Sequence, residues 1–275
     1  KSDYTSMIYE LAPAAKDVGN LIVESAKLPE LKSLILLSDE PKKGMHRWKD
    51  IVDLARDGSE ASVTERQKSL EFDDPVNIQY TSGTTGFPKG ATLSHFNILN
   101  NGFFVGEMLK FTERDRLCIP VPFYHCFGMV LSNLLCVAHG STMVLPAEAF
   151  DAGQVLEAVE EEKCTALHGV PTMFIAELDH PDFSKHDLSS LRTGIMAGAP
   201  CPVEVMKKVV SQMGAKEITI AYGMTETSPV ALQTSVEDPL EKRVSTVGRA
   251  IPHVEIKIID SSTGQTLPRG IAGEI

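Results

Sequence analysis

The chain has 275 residues, of which 43% are hydrophobic and 23% are charged, and these proportions are typical of a folded globular protein. Its formal net charge of −11 argues against sequence-independent nucleic-acid binding, which needs a basic face, and against electrostatic docking on anionic lipid. We therefore expect no nucleic-acid partner. No apolar run reaches the roughly 18 residues that cross a bilayer, so we also expect no transmembrane segment.

The cysteine content and the first residue bear on the compartment. The five cysteines are odd in number and form no CxxC pair, which is typical of buried, inert thiols in a reducing compartment. We therefore expect an intracellular protein, in the cytoplasm or the mitochondrial matrix. The chain begins with Lys1 rather than methionine, so we expect that an N-terminal targeting region is not present in it.

The first third of the chain contains two predicted strands. Residues 34–37 (LILL) form a short apolar run that predicts a buried strand, and residues 40–75 are polar and predict a surface excursion with short helices. Residues 76–80 (VNIQY) predict a second strand. Residues 81–90 are so rich in glycine and threonine that we expect no regular structure there, and Ser94 is a suitable N-cap for the following helix.

From there, short β-branched runs alternate with helical stretches. The alternation of strands and helices predicts an α/β fold with mostly parallel sheets and helices on both faces. The predicted strands are residues 117–121, 142–145, 165–170, 193–196 and 218–222, and the predicted helices are residues 129–138, 151–163, 202–213 and one that begins at Pro171.

The pattern changes after residue 230. Residues 254–258 (VEIKI) alternate between apolar and polar side chains, which predicts a strand with one solvated face, and Gly264 with residues 268–270 supplies turns. We expect these residues to be the start of an antiparallel β piece. Because the chain stops inside the predicted next strand, we expect it to be a fragment at both ends.

The segment of residues 81–90 combines glycines, hydroxyl side chains and one lysine between a strand and a helix. Glycine lets backbone N–H groups converge on an anion, and hydroxyl and ammonium groups add donors, so the segment suits the β- and γ-phosphates of ATP. Its spacing differs from a Walker A motif, since Gly90 rather than Ser or Thr follows Lys89, which disfavours an ADP-releasing kinase or ATPase. The predicted ATP ligands here are Thr81, Ser82, Gly83, Thr84, Thr85, Gly86 and Lys89.

The string YTSGTTGFPKG, residues 80–90, resembles the signature of the adenylate-forming (AMP-binding) superfamily. This superfamily comprises acyl- and aryl-CoA synthetases, firefly-type luciferases and the adenylation domains of peptide synthetases. The resemblance implies that a carboxylate attacks the α-phosphate of ATP, which gives an acyl-adenylate and pyrophosphate, and that a thiol then displaces AMP. It also implies ATP, Mg²⁺ and coenzyme A as cofactors or co-substrates.

Two further segments follow predicted strands in the order that the resemblance implies. Residues 198–200 (GAP) would lie against adenine, because small residues let a flat base approach the backbone closely. Residues 221–227 (AYGMTET) resemble the YGxTE motif, and Tyr222 would stack on the base. The ATP ligands implied by these two segments are Gly198, Ala199, Pro200, Tyr222, Gly223, Met224 and Thr225.

The resemblance also implies the catalytic residues. Thr225 would reach the α-phosphate, and Glu226 would hold Mg²⁺ with the Thr81 hydroxyl as a second ligand, which agrees with the preference of this cation for oxygen. The implied catalytic set is Thr81, Lys89, Thr225 and Glu226. No nucleophilic side chain is needed, because the attacking group belongs to the substrate and catalysis consists of alignment and charge stabilisation. We therefore assign no function to the cysteines.

Residues 122–128 (PFYHCFG) lie where relatives wall the acyl pocket. Amino-acid-activating relatives carry an Asp there for the substrate ammonium, and this stretch has no carboxylate, so an uncharged acyl tail fits better. His125 would position the substrate carboxylate, and Gly169 with Val170 would supply another pocket wall. The string ATLSHFNILNN, residues 91–101, resembles medium-chain fatty acyl-CoA synthetases.

The resemblance covers part of a longer enzyme. We expect residues 1–275 to be an incomplete N-terminal nucleotide-binding domain, with α/β subdomains to about residue 230 and the start of a β-barrel-like subdomain from about 231 to 275. We expect the catalytic lid domain to lie outside residues 1–275, and we therefore expect weak nucleotide binding and little turnover from the fragment alone. The small-molecule substrates would be ATP, a fatty acid and coenzyme A. The alternatives are an aryl-CoA ligase or luciferase-like enzyme, and a non-catalytic nucleotide-binding module.

Overall fold

The computed structural model describes residues 3–16, 23, 25–55, 58, 60–82 and 86–275, and the chain divides into two compact units, Lys1–Leu70 and Glu71–Ile275. The predicted strand at residues 34–37 is confirmed in shorter form, as β1 (Ile35–Leu36), which pairs in parallel with β2 (His46–Arg47). Buried apolar side chains of this first unit are Ala12, Ala15, Val23, Leu34 and Met45. Its described elements are α1 (Tyr4–Leu11), β1 (Ile35–Leu36), β2 (His46–Arg47), α2 (Trp48–Leu54) and α3 (Glu60–Gln67).

The second unit opens with a β-hairpin of β3 (Pro75–Thr81) and β4 (Lys89–Ser94). The expectation that residues 81–90 contain no regular structure is wrong at both ends, because Thr81 pairs with Lys89 and Tyr80 pairs with Gly90. Burial explains the correction, since Ala91 and Leu93 alternate inward along β4 and hold it in register against β3. The predicted ligands Gly83, Thr84 and Thr85 lie outside the described residues.

The main sheet of the described residues contains seven strands in the order β11-β10-β9-β8-β7-β5-β6. β6, β5, β7, β8 and β9 are parallel, and β10 and β11 continue the sheet in antiparallel fashion. This topology confirms the α/β prediction of a mostly parallel sheet with an antiparallel piece towards the C-terminal end. The strands are β5 (Arg116–Cys118), β6 (Thr142–Val144), β7 (Ala166–Gly169), β8 (Thr193–Ala197), β9 (Glu217–Gly223), β10 (Val230–Gln233) and β11 (Arg249–Ala250).

Helices cover both faces of this sheet, because successive strand residues point to opposite sides. Ile195 packs with α4, the π-helix and α6 on one face, and Met196 packs with α7, α8 and α9 on the other. The described helices of the second unit are α4 (His95–Met108), α5 (Cys126–Gly128), a π-helix (Met129–Leu134), α6 (Leu135–His139), α7 (Ala152–Glu161), α8 (Pro171–Leu178), α9 (Val203–Gln212) and α10 (Leu240–Ser245).

Local chemistry sets several helix boundaries. The Ser94 hydroxyl accepts the N–H of Asn97 at 3.3 Å, which confirms the predicted N-cap of α4. Pro171 is the first residue of α8, where its missing N–H leaves no helical hydrogen bond unmade. The predicted helix at residues 129–138 is instead the centre of a helical segment, residues 126–139, whose middle is a π-helix.

The predicted strand at residues 254–258 is not formed. Antiparallel bridges join Ile259 to Thr266 and to Glu274, and the Leu267 N–H donates to the Ile258 carbonyl at 2.8 Å. Alternation of apolar and polar side chains is compatible with a strand that has one solvated face. A strand also needs a neighbouring strand for its backbone hydrogen bonds, and the described residues provide one only at the end of this segment. None of the described helices combines the length and the apolar character that crossing a bilayer requires.

Candidate functional site

The segments singled out by sequence meet at the carboxyl edge of the main sheet. Ligands of open α/β sheets bind in the crevice at this edge, because the loops that leave parallel strands converge there. A cavity of about 620 Å³ opens there beside the β3–β4 hairpin. Its lining residues are Gln79, Tyr80, Thr81, Ser82, Lys89, Tyr124, His125, Cys126, Phe127, Leu131, Ala197, Gly198, Ala221, Tyr222, Gly223, Met224, Thr225, Glu226, Pro229 and Val230.

The hairpin brings Thr81 and Lys89 to this cavity as a cross-strand pair. Ser82 also lines the cavity, whereas Gly86 is exposed and lies outside the lining. The Lys89 side chain forms no hydrogen bond or ion pair within the described part of the chain. An exposed ammonium group in this position is available to an anionic ligand.

Thr225 is 9% exposed and its hydroxyl is 3.6 Å from the Cys126 thiol. Burial raises the pKa of Cys126, so this thiol is protonated at neutral pH. A protonated thiol can donate to the Thr225 oxygen, which leaves the single hydroxyl proton of Thr225 free to point into the cavity. The pair therefore presents a hydrogen-bond donor at the cavity wall.

Glu226 is exposed at the same wall, and its carboxylate makes no hydrogen bond or ion pair with other described residues. Within the described ranges, no group of three or more His, Cys, Asp or Glu side chains could hold a metal ion. Glu226 and Thr81 supply hard oxygen donors, and Mg²⁺ commonly takes one or two protein oxygens with water and substrate phosphates as its other ligands. The residues present therefore fit Mg²⁺ in the company of a nucleotide.

A second cavity of about 550 Å³ adjoins the first and shares Gly198, Ala221, Tyr222 and Gly223 with it. Gly198 has φ +87°, a left-handed conformation that strains other residues. A Cβ atom on Gly223 would lie 1.8 Å from the Pro229 carbonyl oxygen, so only glycine fits there. The second cavity is lined by Gly198, Ala199, Pro200, Cys201, Ile220, Ala221, Tyr222, Gly223, Val244, Ser245, Thr246 and Val247.

The second cavity has the chemistry of a base-binding slot. Tyr222 presents an aromatic ring at one side, and the small residues 198–200 leave backbone exposed at the other. Val247, which is not among the predicted ATP ligands, adds an apolar wall. A planar aromatic ligand can stack in such a slot without base-specific side chains.

His125 lies where the first cavity meets α5. Its Nδ1 accepts the N–H of Phe127 at 3.1 Å, so the neutral ring carries its proton on Nε2. That Nε2–H group makes no hydrogen bond within the described residues. It can therefore donate to a carboxylate oxygen in the cavity, to which both His125 and Phe127 contribute.

The inner part of the cavity is apolar. Phe127, Leu131 and Val230 are 5%, 3% and 2% exposed, and each lines the cavity. Glu226 carries the only carboxylate among the described lining residues. Sequence reasoning missed Pro229 and Val230, which lie two and three residues after the AYGMTET segment that it singled out. The cavity offers an uncharged tail an apolar surface and offers a buried ammonium no counter-charge beyond Glu226.

Two predicted pocket residues lie outside both linings. A Cβ atom on Gly169 would meet the Phe174 ring at 3.0 Å, so the space that this glycine leaves is filled by Phe174 rather than open to an acyl tail. The Val170 side chain lies 3.2 Å from the position that a Cβ atom would occupy if Gly198 were another residue. Val170 therefore supports the turn at Gly198 from behind.

Comparison with known proteins agrees with this geometry. YngI, a Bacillus subtilis protein whose name assigns it provisionally to the acyl-CoA synthetases, is 52% identical over 274 residues, which are 100% of this chain and 50% of YngI. The mitochondrial medium-chain acyl-CoA ligase ACSF2 of Danio rerio is 43% identical over 99% of this chain and 45% of its own length. The chain thus spans about half the length of these curated relatives.

A solved structure has a backbone fold similar to that of this chain. The o-succinylbenzoate CoA synthetase MenE of Bacillus subtilis, in complex with its acyl-adenylate intermediate, superposes with a TM-score of 0.63 at 30% identity. The match covers 72% of this chain and 39% of MenE. The profile of the family described as AMP-binding enzyme matches residues 6–275. The chain belongs to the AMP-binding enzyme family.

Proposed function

We propose that the full-length protein containing this chain is an ATP-dependent fatty acyl-CoA synthetase. The observation that carries the proposal is one cavity that joins phosphate-binding chemistry at Lys89, Thr225 and Glu226 to an apolar wall at Phe127 and Leu131. The adjoining slot at Tyr222 suits adenine. Together they form a path with room for a base, a phosphate and an acyl chain in that order.

The proposed reaction has two steps. In the first, a carboxylate oxygen of the fatty acid attacks the α-phosphorus of ATP, the bond to the β-phosphate breaks, and pyrophosphate leaves. In the second, the coenzyme A thiol loses its proton to solvent, its sulfur attacks the acyl carbon, and AMP leaves with the oxygen. His125 Nε2–H would orient the attacking carboxylate, and the Thr225 hydroxyl would donate to the α-phosphate.

Charge stabilisation on the phosphates is assigned to three residues. Lys89 would neutralise phosphate charge beside the hairpin, and Glu226 with Thr81 would hold Mg²⁺. When bound, Mg²⁺ supplies Lewis-acid charge to the phosphate oxygens and to the leaving pyrophosphate. Loop residues Gly83, Thr84, Thr85 and Gly86 are proposed as further phosphate ligands on the sequence pattern alone.

A fatty acid is favoured as the substrate for two reasons. Phe127, Leu131 and Val230 form an apolar wall, and the described lining has no second carboxylate to pair with an amino-acid ammonium group. The name of the Danio rerio relative, a medium-chain acyl-CoA ligase of mitochondria, supports the same substrate class and a mitochondrial compartment.

The chain is proposed to be part of the large N-terminal domain of this enzyme, with a catalytic lid domain outside residues 1–275. The coverage of about half of each relative supports this division. A lid that completes the site explains why we expect the isolated chain to bind ATP weakly and to turn over poorly. A steady-state rate from residues 1–275 equal to that of the full-length protein would contradict the division.

An aryl-CoA ligase is the second candidate function. The likeness to MenE favours it, because the MenE structure holds the adenylate of an aromatic acid on a similar fold. The two functions differ in the acid that drives the first step, since an aromatic ring and a flexible alkyl chain fill the apolar wall differently.

The test is ATP–pyrophosphate exchange by the full-length protein with fatty acids of four to sixteen carbons and with benzoate. Exchange that depends on a fatty acid supports the proposal, and exchange that depends on benzoate alone supports the aryl-CoA ligase. ATP binding without exchange for any acid would overturn both and favour a non-catalytic nucleotide-binding module.

A further inference from the structure

A buried polar pair lies directly behind the apolar wall of the first cavity. The Ser132 hydroxyl, on the π-helix, donates to the Phe127 carbonyl at 3.2 Å and contacts His168 Nδ1 at 3.1 Å. Ser132 and His168 are both 0% exposed. Neither lines the cavity itself, and neither has a part in the proposed chemistry.

The hydrogen-bond pattern fixes the tautomer of His168. Ser132 has a single hydroxyl proton, so if it donates to the Phe127 carbonyl its oxygen must accept from an Nδ1–H group of His168. The opposite arrangement would place two acceptors, the Phe127 carbonyl and the Ser132 oxygen, against each other without a proton. His168 Nε2 is then a bare acceptor, and it has no partner within the described residues.

This arrangement is unfavourable for stability. A buried acceptor without a partner has lost its hydration without compensation, and an apolar side chain of similar shape would avoid that cost. Burial also lowers the pKa of His168 to about 3, so the ring stays neutral throughout the physiological range and carries no pH-dependent charge there. Stability therefore does not account for a His–Ser pair in this apolar core.

The pair does account for the position of Phe127. The backbone N–H of Phe127 donates to His125 at 3.1 Å, and its carbonyl accepts from Ser132. Its ring lies 5.7 Å from the His168 ring, with the planes at 37°. Phe127 is thus held at its N–H, its carbonyl and its ring, while its remaining surface faces the cavity beside Leu131.

We propose that Ser132 and His168 are positioning residues that hold Phe127 in place and thereby limit the length of the acyl chain that the cavity accepts. The inference rests on the proposed function and deepens it to a determinant of chain-length selection. A fixed aromatic wall rejects acids that are longer than the cavity, because their extra methylenes have no space. When the polar pair is removed, Phe127 gains freedom and the cavity lengthens.

The experiment compares variants of the full-length protein by acid-dependent ATP–pyrophosphate exchange across fatty acids of four to sixteen carbons. The double variant Ser132→Ala/His168→Leu removes both polar side chains together. Neither of them is then left buried without the other, so the variant is expected to fold. The selectivity is the kcat/KM for the preferred acid divided by the kcat/KM for an acid that is two carbons longer. We expect this selectivity to fall about tenfold, while the KM for ATP stays within about twofold of its original value.

A matched control and a double-mutant cycle separate positioning from general destabilisation. Thr193 is a buried hydroxyl at the other end of the sheet that donates to the Glu217 carbonyl at 3.0 Å, so Thr193→Val loses a similar bond far from the cavity. It is expected to leave the chain-length profile unchanged. In a Phe127→Ala background, the double variant should add no further change, because the group through which it acts has gone.

The outcomes are distinguishable. An unchanged chain-length profile in the folded double variant overturns the inference, as does an equal change in Thr193→Val or an additive effect in the Phe127→Ala background. If the unaltered protein shows no exchange with any acid, the proposed function fails, and this inference fails with it.

Discussion

The two edges of the main sheet differ in whether their polar side chains have partners within the protein. At the amino edge, the Asp115 carboxylate accepts from Arg192 at 2.9 and 3.0 Å and from Thr165 at 2.7 Å, and Arg192 also donates to Glu217 at 2.9 Å. At the carboxyl edge, Glu226 has no such partner among the described residues. One sheet thus presents a closed network at one end and open groups at the other.

The pKa of Asp115 shows how complete the amino-edge network is. Burial on its own would raise this pKa, but hydrogen bonds from Arg192 and Thr165 outweigh burial, so the pKa of Asp115 lies below its ordinary value. Internal partners of this kind stabilise the fold and leave nothing for a ligand. Groups without internal partners are exposed at the carboxyl edge, where a charged substrate can supply the partner.

The largest expected effect is on catalysis at the carboxyl edge. We expect Glu226→Gln in the full-length protein to lower the rate of ATP–pyrophosphate exchange about 100- to 1,000-fold, because it removes charge that would hold Mg²⁺ on the phosphates. Thermal denaturation should be unchanged, since the carboxylate makes no hydrogen bond or ion pair within the described residues.

Glu204→Gln is the matched control, because Glu204 is also exposed, although it pairs with Lys207 on α9 at 3.2 Å. Its exchange rate should equal that of the unaltered protein. A Glu226→Gln protein with full activity, or one that has lost stability in proportion to activity, would remove Glu226 from the site.

The next effect is on stability at the amino edge. Asp115→Ala leaves the half-buried Arg192 without one of its two carboxylate partners, and the loss of these charge-assisted hydrogen bonds is expected to lower the free energy of unfolding by about 2 kcal/mol. Urea denaturation of the full-length protein measures this loss. Asp182→Ala breaks an exposed pair with Lys185, so its loss of stability should be much smaller than that of Asp115→Ala.

The same comparison predicts that Asp115→Ala leaves the exchange rate per folded molecule intact. A large loss of activity at full folding would show that the two edges do not divide binding from stability in this way.

A smaller effect is expected on nucleotide affinity. Tyr222→Ala should raise the KM for ATP about tenfold, because stacking on one base contributes about 1–3 kcal/mol. Tyr222→Phe keeps the ring and should keep the KM. If both variants raised the KM equally, the hydroxyl rather than stacking would be the contact, and the assignment of the adenine slot would need revision.

The smallest effect concerns pH. His168 is neutral when folded, since burial lowers its pKa to about 3, whereas an unfolded His titrates near 6.5. Below pH 6.5 the unfolded chain therefore binds a proton at this residue that the folded protein does not bind. The folded protein has its full stability above pH 6.5 and loses stability as the pH falls towards 3. Between pH 6.5 and 5.5 the free energy of unfolding should fall by about 1 kcal/mol more in the unaltered protein than in His168→Leu. Parallel pH profiles of the two proteins in urea denaturation would contradict this.

Much of the site was predictable because its residues lie in local motifs. Residues 80–90 and 221–227 both carry groups that suit phosphates. The parallel topology brings residues 221–227, at the end of β9, to the carboxyl edge, and Thr81 and Lys89 of the separate antiparallel hairpin line the same cavity. The topology itself followed from the alternation of strands and helices. The N-cap at Ser94 and the first helical position at Pro171 were local as well.

The features that sequence reasoning missed depend on partners distant in the chain. β4 forms because Ala91 and Leu93 become buried in pairing with β3, and residues 254–258 fail to form a strand because a partner is lacking along most of their length. The hydrogen bond between His168 and Ser132 joins residues 36 positions apart. No local pattern predicts such contacts.

Hydrogen exchange tests the division between the two edges most directly. The full-length protein would be compared with and without a non-hydrolysable acyl-sulfamoyl-adenosine, a mimic of the acyl-adenylate. We expect new amide protection to concentrate in residues 197–201 and 222–227 at the carboxyl edge, with none in residues 112–116 and 190–193 at the amino edge. Protection centred on the amino edge, or saturable binding without protection at the carboxyl edge, would contradict the proposed site.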